Sequence, residues 1–190
     1  TIVNREGKRV VPICLAVMDD SSRVCCHLQW FILEDTRVLV HGFIQALLKR
    51  GLPRALMTDN GSAMISQEFT QGLLRLGIIH ELTLPYSPHQ NGKQESFWGN
   101  LEGRLVSMLE SEIDLSIEKL NHFSSAWVEM DYNHRNHSEL KTSPIDRWQK
   151  TKSVMRDSLP IEDLRKSFRR EAKRRIRRSD GTFLLEGVRF

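Results

Sequence analysis

A short apolar run that stops on one acid, and a helix that opens on another, constrain this chain more than any other feature. Ala55-Leu56-Met57-Thr58 has the length and composition of a buried strand, and Asp59-Asn60-Gly61-Ser62 ends it. Glu95 opens a long helical pattern directly after residues 85–92, where two Pro, one Gly, Ser and Asn permit only a surface loop. Thirty-five residues separate Asp59 from Glu95, room for one helix and one further strand. In sheets joined by helical crossovers, functional side chains stand at the carboxyl ends of strands. Two carboxylates presented this way suit hard divalent cations held against a phosphate.

The segments on either side extend the same alternation. Residues 10–18 read as a strand with Pro12 near its start, 19–22 as a turn, and 24–33 as its antiparallel partner. Asp19 and Asp20 are read as turn residues in preference to metal ligands. Asp35 or Thr36 caps a helix whose apolar face is Val40, Phe43, Ile44, Leu47 and Leu48, and Gly51 with Pro53 stops it. Strand, helix and strand in that order imply a parallel pair with a crossover, with 55–58 in the middle of a sheet. Ser66 caps a helix through Leu76, Gly77 ends it, and 78–84 is a further strand. Residues 93–111 form the long helix, with Trp98, Leu101, Leu105, Met108 and Leu109 as its buried stripe. Ser116 caps another, with Leu120, Phe123, Trp127 and Met130 on one face. Residues 132–137 are a polar loop, Ser143-Pro144 start a short helix, and 150–160 read as a linker. Beyond a helical 161–170, the pattern is strand (173–178), Asp-Gly turn (179–182) and strand (183–190).

Charge is distributed unevenly. The net charge is +4, yet 165–178 carries nine basic residues and one acid, so that segment is +8 and the rest −4. Such concentration is an electrostatic footprint for a polyanion. The three cysteines, Cys14, Cys25 and Cys26, have neither disulfide nor zinc spacing and read as small core residues in a reducing cytosol. In a strand, Cys25 and Cys26 would point to opposite faces. The longest uncharged apolar run, 10–18, is too short to cross a bilayer.

Asp59-Asn60-Gly61-Ser62, followed by Pro85-Tyr86-Ser87-Pro88-His89-Gln90-Asn91-Gly92-Lys93-Gln94-Glu95, closely resembles the catalytic core shared by retroviral integrases and bacterial insertion-sequence transposases. The resemblance continues in Asp19-Asp20-Ser21-Ser22-Arg23, in Arg50-Gly51-Leu52-Pro53, and in Tyr132-Asn133, His137, Ser143-Pro144 and Trp148. It implies an α/β fold with a ribonuclease H-like mixed sheet flanked by helices, followed by the start of a small β-barrel. The expected domains are a catalytic core over 1–150, a linker and helix over 151–170, and the start of a small C-terminal β domain over 171–190. It also implies three acids binding two Mg²⁺ or Mn²⁺ ions, with Asp59 as the second and Glu95 as the third. The first acid matches nothing here and is expected on a strand upstream of Thr1, which would leave this chain inactive in strand transfer. DNA-contact expectations fall on Asn91 and Lys93 beside Glu95, and on Arg174, Arg175, Arg177 and Arg178. His134 and His137 are expected in structural hydrogen bonds rather than at a metal. The expected partners are transposon ends, target DNA and further copies of the chain, without a membrane, in a bacterial cytoplasm at the nucleoid. Two other readings remain: an inactive integrase-like module that only grips DNA, and a ribonuclease H-like nuclease that cuts without joining.

Overall fold

A computed structural model describes residues 1–3, 7–83, 92–112, 114–151, 156–170, 174–185 and 187–190. Alternation along one strand divides the interior in two. β3 (Ile13–Met18) pairs antiparallel with β4 (Cys25–Phe31), Ile13 opposite Phe31, with an irregularity between Val17 and Met18. Leu15 and Val17 pack into one apolar cluster, and Cys14, Ala16 and Met18 into a second on the opposite face. Period-two side-chain direction requires that split. Cys25 and Cys26 obey it, Cys25 facing the second cluster and Cys26 a small third one beside Val24 and Ala46. Burial pushes the Cys14 and Cys26 thiols up to about 12, which suits inert core residues.

The first cluster is built on α1 (Thr36–Arg50). Asp35 caps it, accepting from the Val38 amide at 2.8 Å, and Gly51 stops it with φ 86°, a left-handed value that favours glycine. Phe43, Ile44 and Leu47 are fully buried, each contributing about 1.5–3 kcal/mol; Leu48 lies at the exposed rim. β5 (Ala55–Thr58), α2 (Gln67–Arg75) and β6 (Ile79–Leu82) follow, β5 and β6 forming a parallel pair with Thr58 opposite Leu82. Ser66 caps α2 and Gly77, at φ 63°, ends it.

The mixed sheet therefore consists of separate ladders. Among the described residues β5 pairs with β6 alone, not with the hairpin. Nor is β5 buried on both faces as expected of a central strand, since Met57 is 47% exposed. A two-residue ladder, β1 (Ile2–Val3) with β2 (Arg9–Val10), precedes the hairpin.

The second cluster lies under two helical segments. α3 (Gly92–Asn100) runs into a π-helical stretch (Leu101–Val106) and then α4 (Ser107–Leu109). Its buried stripe is Phe97, Leu101, Leu105 and Leu109, spaced by four; Trp98 is half-buried and Met108 exposed, contrary to the sequence reading. α5 (Ile117–Met130) is rotated from the expected face: Leu120, Ser124, Trp127 and Val128 are buried, while Phe123 and Met130 are exposed. The cause is polar. The Trp30 indole donates to Ser124 Oγ at 2.8 Å, and Asn121 accepts from the Trp30 amide and donates to its carbonyl, at 2.7 and 3.0 Å. Those bonds turn positions 121 and 124 toward the sheet.

Two further expectations change. The polar loop at 132–137 begins with buried residues, and Asn133, 1% exposed, holds both backbone groups of Cys25 at 2.9 and 3.1 Å. The linker at 150–160 is anchored: Arg156 exchanges backbone bonds with Leu52, at 2.8 and 3.0 Å. α6 (Pro144–Lys150) starts as expected on Ser143-Pro144. α7 (Ile161–Ser167) buries Leu164 and the following Phe168 in the first cluster. At the C-terminus the hairpin falls inside the expected second strand, pairing β7 (Leu184–Leu185) with β8 (Val188–Arg189). Gly187, at φ 81°, supplies the left-handed turn position there, and the described residues before the Asp180-Gly181 turn, 174–178, form no strand.

Candidate active site

Asp59 follows β5 at its carboxyl end. Its Oδ1 accepts from the Gly61 amide at 2.9 Å, closing an Asx turn, and Asn60 donates to the Thr83 carbonyl at 3.1 Å. A Cβ at Gly61 would come within 3.0 Å of that carboxylate, so glycine leaves the acid its place. The carboxylate faces solvent. Beneath it Thr58 is buried, and its Oγ1 lies 2.8 Å from His80 Nε2.

Glu95 stands in the first turn of α3, where a negative side chain complements the helix dipole. It is exposed and makes no hydrogen bond or ion pair among the described residues. Residues 92–96 are all exposed, and Phe97 is the first of the helix to enter the core. Lys93 is engaged: its Nζ lies 2.6 Å from Asp20 Oδ1 in the β3–β4 turn. A cavity of about 130 Å³ beside it is lined by Arg23, Lys93, Ser96, Tyr132, His137 and Glu139 among others. Neither Asp59 nor Glu95 lines it.

Asp19 performs the expected turn chemistry, accepting from the Ser22 amide and hydroxyl at 2.8 and 2.6 Å. Asn91 and the loop at 85–91 lie outside the described residues. Arg174, Arg175, Arg177 and Arg178 are exposed. Among the described residues no group of three His, Cys, Asp or Glu side chains could hold a metal ion. Asp59 and Glu95 nonetheless offer exposed carboxylate oxygens, the donor type that Mg²⁺ and Mn²⁺ take. They fit such an ion in kind and fall short of three in number. His80 was not singled out from sequence, while Asp20 was read as a turn residue and Arg23 only as part of the run 19–23; a left-handed arginine leaves no local signal in a turn-rich stretch.

Burial holds the His27 and His80 imidazoles below their ordinary value of 6.5. For His27 the Gln29 hydrogen bond opposes this in part. Both are neutral in the fold, whereas the unfolded chain takes up their protons near pH 6.5. Their share of stability is complete above that pH and is lost as pH falls through the lowered native values. Thermal unfolding should therefore show Tm falling from about pH 6.5 toward pH 5, ahead of carboxylate titration. His80→Gln should flatten part of that slope, and an unchanged slope would contradict the assignment.

Two models described as the integrase core domain match residues 2–88 and 76–144, together spanning most of the strands and helices above. The chain belongs to the integrase core-domain family. Relatives of this integrase core include the uncharacterized protein of insertion element IS476 from Xanthomonas euvesicatoria, 37% identical over 94 residues, which are 50% of this chain and 27% of that protein. The transposase for transposon Tn552 from Staphylococcus aureus is 27% identical over 77% of this chain and 34% of its own length. The chain thus spans about a third or less of those two relatives. Solved structures with the same fold include the simian T-cell lymphotropic virus intasome in complex with PP2A regulatory subunit B56 gamma. It has a TM-score of 0.66 at 22% identity, over 80% of this chain and 54% of that one. The HTLV-2 integrase catalytic core domain in complex with magnesium, in its dimeric form, has a TM-score of 0.57 at 24% identity, over 75% and 86%. No helix among the described residues is long and apolar enough to cross a membrane.

Proposed function

We propose that this chain is part of the catalytic region of a DNA transposase, performing metal-dependent phosphoryl transfer with Asp59 and Glu95 as two of its acids. The observation that carries the reading is the placement of both: one ends the first strand of a parallel pair, the other opens a helix, and neither is neutralised by a described cation. Divalent ions bound there would offset phosphate charge and favour ionisation of the attacking oxygen. The Gly61 amide fixes Asp59 through Oδ1, and the residue is exposed. Glu95, without a competing partner among the described residues, would act as the second ligand. Arg174, Arg175, Arg177 and Arg178 would hold DNA phosphates, as would Asn91, close before Glu95 in sequence, and the C-terminal hairpin would begin a small DNA-binding β domain. Transposon ends and target DNA are the substrates of this reading. It also includes assembly of several copies on DNA and a place at the bacterial nucleoid.

In this reading the first acid of the set, which matches nothing in this chain, would take a place that the topology leaves open. β1 pairs antiparallel with β2, Ile2 opposite Val10 and Val3 opposite Arg9. Each step back from Ile2 advances one step toward β3. A longer strand before Ile2 would run along the edge of β3 that β4 leaves free. An acid on that strand would complete the set, and without it strand transfer should be absent.

Purified 190-residue chain, with Mg²⁺ or Mn²⁺ and its transposon ends, should bind DNA with affinity falling steeply with salt and yield no joined product. A longer version carrying an upstream strand with an Asp should join strands. Robust joining by the short chain would refute the missing-acid assignment. Free ends without joined strands from the longer version would favour the nuclease, and binding alone the inactive module.

A further inference from the structure

The first turn of α3 has no apolar anchor of its own, because residues 92–96 are exposed and the core takes hold only at Phe97. Its start is held instead by the β3–β4 turn. We propose that Asp20 is a positioning residue: by gripping Lys93 it fixes the first turn of α3, from which Glu95 projects. The relevance to catalysis rests on the reading of Glu95 as a metal ligand; the grip itself does not.

The grip is made by a braced turn. Asp19 ties the Ser22 amide and hydroxyl, its own amide donates to the Val24 carbonyl at 2.9 Å, and its carbonyl accepts from the Arg23 amide at 2.9 Å. Arg23 adopts the left-handed φ of 64°, unusual for a side chain with a Cβ. That conformation accompanies a guanidinium only 8% exposed, which donates to the Asp20 carbonyl and reaches Glu139 at 3.3 Å. The Asp20 backbone is therefore held from within the turn and, through Arg23, from the segment after α5. A loosely tethered aspartate would not transmit position to a helix, and this one is not loosely tethered.

Charge argues for a tie rather than a phosphate seat. Lys93 is matched by Asp20 and Arg23 by Glu139, so the lysine and the arginine that line the cavity beside the start of α3 are both compensated. Helical geometry adds a direction: residues two apart lie roughly 200° around the axis. Holding Lys93 against the turn therefore sends Glu95 to the other side of the helix, away from Asp20.

Hydrogen exchange on the 190-residue chain reads the tie directly. The amides of Ser96 to Gly99 are the first that can bond within α3. Asp20→Asn should speed their exchange about threefold, as expected for one exposed ion pair, with α5 amides unchanged. Asp20→Lys should speed it further, and Asp20→Lys combined with Lys93→Asp should return it toward the original rate. Unchanged rates in both single variants, or no recovery in the swap, would overturn the proposal. In a joining-competent longer version, Asp20→Lys should lower kcat about tenfold with KM for DNA unchanged, since a ligand displaced by a fraction of an ångström costs rate rather than binding. A raised KM with unchanged kcat would instead make Lys93 a DNA contact. Glu95→Gln separates the two layers: full joining in that variant removes the ligand reading, whatever exchange shows about the tie.

Discussion

Asp59→Asn, made in a version of the protein with its full set of acids, is expected to reduce DNA cleavage and joining by on the order of 10³-fold or more while leaving the fold unchanged. Asparagine has the shape of aspartate, and its Oδ1 can still accept from the Gly61 amide, the one bond the Asp59 side chain makes among the described residues. Since the side chain faces solvent, no core contact is lost, and Tm should move by no more than a degree or two. What disappears is one negative charge at the end of β5. A hard cation held by few carboxylates depends on each of them, and metal-borne charge relief on a phosphoryl group is worth several kcal/mol, at about 1.4 kcal/mol per tenfold in rate. Gel assays of end cleavage and strand joining, alongside circular dichroism, check both halves. Wild-type turnover in a folded variant would remove Asp59 from the mechanism. Loss of both activity and fold would show that it supports the Asx turn instead.

Legibility from sequence followed the range of the forces involved. α1 was readable throughout because its cap, its stripe and its stop are all local: Asp35, Phe43-Ile44-Leu47 and Gly51. The two faces of β3 and the opposed directions of Cys25 and Cys26 follow from period two alone. The position of Asp59 after β5 needed only the apolar run and its break. Hydrophobicity misplaced the face of α5, because Phe123 and Met130 outweigh Ser124 on any apolar scale. Ser124 is buried because Trp30, 94 residues away in sequence, donates to it. Asn133 belongs to the same class: its amide replaces a strand neighbour for Cys25, and nothing near position 133 announces that. The site divides likewise. The position of each acid, Asp59 after a strand and Glu95 in the first turn of a helix, was legible from its local break. Asp20 and Arg23, which brace the start of α3, act across the fold.

Phe168→Ala is expected to destabilise the core by about 3–5 kcal/mol, although position 168 lies beyond the segment that reads as the catalytic domain. Phe168 is 2% exposed. Its ring stacks on Phe69 at 5.9 Å and meets Phe43 edge-on at 6.2 Å, joining α7 to α1 and α2 at the centre of the first cluster. Gly72 is the reason it fits, because a Cβ there would overlap the Phe168 ring. Arg75 then closes the end of the segment, donating to the Ser167 and Arg169 carbonyls at 2.9 and 2.8 Å. A domain of this size has about 5–15 kcal/mol of stability in total, so losing that ring removes a large part of it. Truncation after residue 150 should be worse, since Leu164 and the Arg156 ladder to Leu52 leave as well. Urea unfolding of Phe168→Ala and Gly72→Ala would measure the effect, with the glycine variant destabilised through overlap instead of a cavity. If the truncated chain unfolds at the same urea concentration as the 190-residue chain, α7 is an appendage. If it does not, α7 is an integral part of the core, and Arg75 holds the Ser167 and Arg169 carbonyls at a fixed point on α2.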